Sequence, residues 1–171
     1  VRQAQLRYTS GAFSVAAESP KTKLTNYRAT TRINSDDSAL PDVTARWTKK
    51  GTWGHFSVAG LARQLRHETA ATSASGSGFG VSVSGKYNIG KNDDIRYMLT
   101  GGQGIGRYVG FALGADGVLD ATASDIDGTG VLAGFVAWRH VFDPKLRGNL
   151  MLSRAQVDHD PVLGDQRAIA R

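Results

Sequence analysis

The chain contains no cysteine. That excludes a disulfide framework, a thiol nucleophile and a thiolate metal site. Proline is nearly as scarce, 4 in 171 residues against 21 glycines. Such a balance suits strands and turns rather than a disordered segment. No run of roughly 18 apolar residues occurs, which excludes a membrane-crossing helix. The start, Val1-Arg2-Gln3-Ala4-Gln5, lacks the apolar stretch of a signal peptide. The end, Gln166-Arg167-Ala168-Ile169-Ala170-Arg171, lacks a terminal aromatic strand. The expectation is a fragment, one partial domain over residues 1–171. Acid is scarce as well, at least within the periodic segments. Glu18 is the one acid expected inside a strand, while Asp36, Asp37, Asp93, Asp94 and the aspartates of 116–127 are expected in loops.

What is present is alternation. Ala4, Leu6 and Tyr8 share one parity, and Gln3, Gln5 and Arg7 the other. After a Ser10-Gly11 turn, Phe13, Val15 and Ala17 oppose Ser14, Ala16 and Glu18. The same period of two runs through residues 41–48, 78–87, 95–101, 130–142 and 146–157. Period two is the mark of strands with one apolar face. Residues 53–67 are mixed, with Phe56, Val58 and Ala62 on one parity and Leu61 and Leu65 on the other; a bulge near Gly60 would repair the pattern. Three polar stretches, 19–40, 68–77 and 102–128, read as loops. Eight strands result, joined alternately by short and long connections. That rhythm, with strands of about 8–13 residues, belongs to outer-membrane barrels. Hydrophobic content of 40% and mean hydropathy of −0.28 fit, because half of each barrel strand faces water.

The excess charge is positive, +6 overall. Arg7, Arg46, Lys86, Arg96, Arg139 and Arg147 all lie on the polar parity, each two to five residues from a short turn. A packed core cannot hold unpaired charges, whereas a water-filled tube can. Such a belt would raise the local concentration of anions and repel cations. Tyr8, Trp47, Tyr87, Tyr97, Trp138 and Phe142 lie near the same turns on the apolar parity, as an interfacial girdle would. An eight-stranded barrel is filled by its own side chains. Six unpaired cations therefore favour half of a wider barrel.

Other signals are weaker. Gly102-Gln103-Gly104-Ile105-Gly106 has the wrong glycine spacing for a phosphate loop and no helix pattern after it. It reads as a loop that could fold inward and narrow a pore with Arg107 and Tyr108. Asp125-Ile126-Asp127-Gly128 is an incomplete calcium loop, and Asp158-His159-Asp160 is a similar fragment. The four histidines show no metal-ligand spacing, and no nucleophile–base–acid grouping stands out. No cofactor, metal, enzymatic activity or nucleic-acid partner is expected. The competing fold is a soluble β-sandwich that binds anionic ligands or glycans. It requires Phe13, Val15, Val81, Val83, Leu150 and Leu152 to pack in a sealed core.

Several blocks in order, Val1–Tyr8, Trp53–Arg66, Gly104–Gly110 and Gly134–His140, resemble the DcaP-like porins of Gram-negative outer membranes. The resemblance implies an antiparallel up-and-down transmembrane barrel of 16 strands. It implies a homotrimer that passes small, preferentially anionic solutes by diffusion, among outer-membrane lipid and lipopolysaccharide. It also implies that this chain is about half of one barrel. A coiled-coil segment precedes the barrel in that family and has no counterpart here. By motif, Arg7, Arg63, Arg107 and Arg139 match lumen arginines. The expected pore-lining set is thus Arg7, Arg46, Arg63, Lys86, Arg96, Arg107, Arg139 and Arg147.

Overall fold

The structure is a computed structural model that describes residues 4–27, 31–109 and 114–158. Eight strands form one antiparallel sheet: β1 (Gln5–Ser10), β2 (Phe13–Glu18), β5 (Asp42–Gly51), β6 (Gly54–Glu68), β7 (Ser73–Ile89), β8 (Asp93–Gln103), β11 (Gly130–Asp143) and β12 (Leu146–Asp158). Each pairs with the next in that order, so β1 and β12 are the two edges and the sheet is open. These are the eight alternating segments of the sequence. No helix among the described residues is long and apolar enough to cross a membrane, which says nothing of crossing by strands.

The polar stretches hold more structure than their composition indicates. Residues 19–40 contain β3 (Thr22–Thr25) and β4 (Arg32–Ser35). Residues 102–128 contain a 3₁₀ turn (Gly106–Tyr108), β9 (Gly117–Leu119) and β10 (Ile126–Gly128). These four strands make a second sheet in the order β10-β9-β3-β4, with β3 and β9 parallel. We call it the insert. The expected loop at 68–77 is also replaced. Strands β6 and β7 run on in register, leaving only 69–72 as the turn.

The insert rests on one face of the large sheet, called inner here. Leu65 and Ala74 of the wall and Leu24, Leu119 and Ile126 of the insert are buried in one cluster. Ile105 and Val109 are buried against Val131 and Ala133 in another, with Leu61 and Val157 at its margin. This explains the mixed parity of residues 53–67. Leu61 and Leu65 are inner-face residues covered by the insert. No bulge occurs at Gly60, where pairing to both neighbours is continuous. The register shift in the wall lies instead between Val141 and Asp143.

The outer face is bare. Phe13 is 63% exposed, Val81 55%, Leu150 62% and Leu152 68%. Leu6, Tyr8, Leu99, Leu132, Val136 and Trp138 join them in an uncovered apolar surface. A sandwich core through these residues is therefore absent. The two sheets meet through the opposite face.

Candidate permeation surface

Antiparallel partners share a face, so the register maps the inner surface row by row. One row is Arg7, Ala16, Thr44, Leu61, Gly80, Gly102 and Val131. The next, toward the short turns, contains Arg46, Ala59, Ser82, Thr100 and Ala133. Two rows further come Lys50, His55, Lys86, Arg96 and Ala137, then Asn88, Asp94 and Arg139, then Arg147 beside Val141.

The cations thus descend as a staircase from β1 to β12. Measured on β11, the descent runs from the row of Val131 to that of Val141. Ten residues rise about 33 Å, while seven strand spacings cover about 34 Å. The line of charges crosses the strands at about 45°. Barrel strands tilt from their axis by roughly 35–45°. The short turns, from Gly11 through residues 52–53 and 90–92 to Pro144, descend the same way. The cations therefore run parallel to the rim that those turns define.

Their partners differ sharply. Arg7, Arg46, Arg96 and Arg147 are exposed, and Lys86 and Arg139 are half-buried. Arg7, Arg46, Lys86 and Arg147 make no ion pair among the described residues. Lys86 lies directly between His55 and Arg96, an arrangement that is unfavourable between like charges. One acid relieves it. Asp94, expected in a turn, is the second residue of β8 and is buried. Its carboxylate accepts from Nε of Arg96 at 2.9 Å and pairs with Nη2 of Arg139. The rim cations are therefore not wholly without acidic partners, as the turn assignment had implied.

Arg63 and Arg107 depart further from expectation. Neither lines open space. The side chains of Arg63, Asp42 and Asp116 have no exposed surface. Arg63 lies 3.3 Å from Asp42 through Nε and 3.1 Å from Asp116 through Nη1. Its Nη1 also donates to the Gly104 carbonyl at 3.1 Å and its Nη2 to the Lys21 carbonyl at 2.6 Å. Arg107 reaches the same Lys21 carbonyl and lies 3.7 Å from Asp42. The Tyr108 hydroxyl donates to Asp42 at 2.7 Å, and both guanidinium groups lie over its ring, at 5.6 and 5.3 Å. Asp116, on the insert, accepts the amides of Lys23 at 2.8 Å and Arg107 at 2.7 Å. Burial pushes its carboxyl upward, and Arg63 opposes that shift. Two cations and two anions thus close a buried cluster that ties the insert to the wall.

Sequence position makes this possible. Asp42 opens β5, on the inner face and one register step beyond the Val43–Ala62 pair, so it meets Arg63 of β6. Gly78 lies opposite Arg63 on β7. A Cβ there would sit 2.9 Å from the Arg63 Cγ and 3.0 Å from the Gly104 carbonyl. Gly76, Gly78 and Gly80 leave an inner track without side chains, and Ile126, Gly104 and Ile105 press into it. Gly104 takes φ +70°, a conformation suited to glycine. The alternate glycines of Ser75-Gly76-Ser77-Gly78-Phe79-Gly80 were the available signal, since glycine within a strand marks a close approach. Asp42 had no such signal.

No protein-family description matches the chain, and no curated protein does. Among solved structures, the outer membrane channel DcaP of Acinetobacter baumannii is similar, with a TM-score of 0.72 and 18% sequence identity. The likeness covers 91% of this chain and 44% of that one. The chain therefore spans less than half the length of the structure it matches. At that identity the likeness concerns the fold, an all-β, porin-like antiparallel sheet. No group of three or more metal-ligating side chains occurs among the described residues. Of the Asp125–Gly128 stretch, Ile126–Gly128 form β10; in the turn just before it, Asp120 accepts the amides of Ser124 and Asp125 and the Thr122 hydroxyl. Those hydrogen bonds, the Thr122 hydroxyl first, hold its carboxyl down at about 2. The Asp158-His159-Asp160 fragment, apart from Asp158, lies outside the described residues, as do 159–171.

Proposed function

We propose that the chain forms about half the wall of an outer-membrane channel of the DcaP-like kind, a 16-stranded barrel that assembles as a trimer in a Gram-negative bacterium. Small anions cross it by diffusion, selected by the field of the rim cations rather than by any catalytic step. The protein needs no cofactor. Its outer partners are membrane lipid and lipopolysaccharide.

The observation that carries this reading is the opposition of the two faces. The outer face exposes a continuous apolar surface, where a soluble protein would expect cover. The inner face carries polar groups and a line of cations parallel to the turns. A lipid-facing exterior and a wet, charged interior account for both. The similar fold of the Acinetobacter channel supports the same reading.

Within the channel, the eight expected pore-lining residues separate into two groups. Arg63 and Arg107 position the insert, which narrows the passage on the long-loop side. Arg7, Arg46, Lys86, Arg96, Arg139 and Arg147 act on solutes. Arg46, like Arg7 and Arg147, is exposed and without an ion pair among the described residues, so its field is uncompensated by a neighbouring acid.

The test is a reversal-potential measurement on the full-length protein in planar bilayers. Under a potassium chloride gradient the sign should report chloride preference, weakening as salt screens the lumen. Replacing Arg46 and Arg139 together by glutamate should reduce or reverse it. A channel with unaltered selectivity after that double change would overturn the rim-cation mechanism. A protein that forms no channel would overturn the whole reading.

A further inference from the structure

Between the insert and the wall, just on the rim side of the buried cluster, lies a half-open cleft of about 220 Å³. Leu61 and Met98 of the wall and Ile105 and Val109 of the insert give it aliphatic sides, with Ala59 on its floor and Tyr108 at one end. Its hydroxyls are already engaged. Ser82 and Thr100 bond each other at 2.7 Å, and the Tyr108 hydroxyl donates to Asp42. Few polar groups are left to hold water. A cavity of about 150 Å³ with apolar walls suffices for benzene, so this volume suits a small apolar group.

A charge stands at its edge. Arg46 is the direct cross-strand partner of Ala59 and lies two residues from Thr44, another lining residue. Cross-strand Cβ atoms are about 5 Å apart. Arg46 is exposed and makes no ion pair among the described residues. Glu18 is two rows away, paired by register with Asp42; its carboxylate lies 3.3 Å from the Tyr108 oxygen and accepts from the Thr44 hydroxyl at 3.5 Å.

We propose that this cleft is a binding subsite for amphiphilic monocarboxylates, with the carboxylate on Arg46 and a short aliphatic chain between Leu61, Met98, Ile105 and Val109. The proposal rests on the channel reading and adds a chemical preference to it. An inorganic anion feels only the field of the rim. An anion with an apolar body also gains from leaving water, so it dwells longer and blocks smaller ions. Full burial of a methylene is worth about fourfold in affinity, and a half-open cleft about twofold.

The experiment uses the full-length protein in planar bilayers carrying chloride current. Acetate, butanoate and hexanoate are added in turn, and the concentration that halves the current is read. That concentration should fall about twofold per methylene. Ala59→Phe, which fills the floor, should flatten the series. Should that variant fail to insert, Met98→Ser at its exposed wall position should flatten it instead. Arg46→Gln should weaken block by all three acids alike and keep their ratio. Equal block by acetate and hexanoate in the unaltered protein, beside a clear chloride preference, overturns the subsite and leaves the channel standing. Absence of chloride preference strikes the channel reading itself. A length series that survives both cleft substitutions also overturns the subsite.

Discussion

Two groups of arginine share the inner face and fare differently. Under the insert, Arg63 has no exposed side-chain surface and meets two carboxylates, two carbonyls and an aromatic ring. At the rim, Arg46 is exposed and makes no ion pair among the described residues. The residue type is the same, and the strands are neighbours. What differs is cover. Once the insert excludes water, a cation must be matched by anions, and a matched cation has little field left for a solute. Where water remains, the charge needs no partner and stays available. Position on the polar parity therefore identifies candidates, and desolvation sorts them into paired anchors and solvated, open charges.

The contrast can be broken most forcefully at Arg63. Arg63→Ala in the full-length protein should cost about 3–5 kcal/mol, because Asp42 and Asp116 stay buried without their cation. Denaturant unfolding should register that loss, and limited proteolysis should now cut within the insert. Arg46→Ala, the matching change at the rim, should stay within about 0.5 kcal/mol. Equal costs for the two would abolish the distinction. Next in size, Leu65→Ala should destabilise by about 2–5 kcal/mol through a cavity beneath the insert, with chloride selectivity retained.

Asp94→Asn sharpens the comparison from the other side. It removes the acid shared by Arg96 and Arg139. Anion preference should therefore rise, opposite in sign to the effect of removing a rim arginine. A fall would mean that Asp94 acts by orienting those side chains.

The smallest effect concerns acid. Asp120 is held at about 2, below the ordinary carboxylate value of about 4. Asp37 is held low too, chiefly by the Glu68 amide and then by Ser35. A depressed carboxylate adds stability above its ordinary value and loses it as pH falls toward the depressed one. These two groups should thus make protection of the insert from an acid-active protease decline modestly as pH falls from about 4 toward about 2, while Asp116, pushed the other way by burial, opposes that loss. Loss beginning near neutrality would point to other groups.

The wall was legible in the sequence because each of its strands has one wet and one apolar face. Period two records that difference at Phe13, Val15 and Ala17 as plainly as at Val81 and Val83. The insert was not legible, for the opposite reason. Strands of three or four residues such as Gly117–Leu119 are too short to show a period. Leu61 and Leu65 registered only as an irregularity, since the sequence does not say that a second sheet covers them. The Arg63 cluster joins residues from four segments, with Lys23 and Asp116 separated by 93 positions. Nothing local reports such a meeting. Asp94 was misplaced by a single strand boundary, and that error hid the partner of two rim cations.

The parallel pairing of β3 with β9 carries a consequence for the order of events during folding. Leu24 and Thr25 align with Gly117 and Val118, and the intervening chain includes β5 to β8. Bringing such distant segments together first would close a long loop with little to offset its entropy. Hairpins such as β5–β6 and β7–β8 close through a few residues and can form early. The insert should then dock late, onto a wall whose glycine track is already laid out. A pulse of hydrogen exchange during refolding would see amides of residues 54–60 protected before those of Thr22–Thr25, and the inner face would receive its cover only in the last step of assembly.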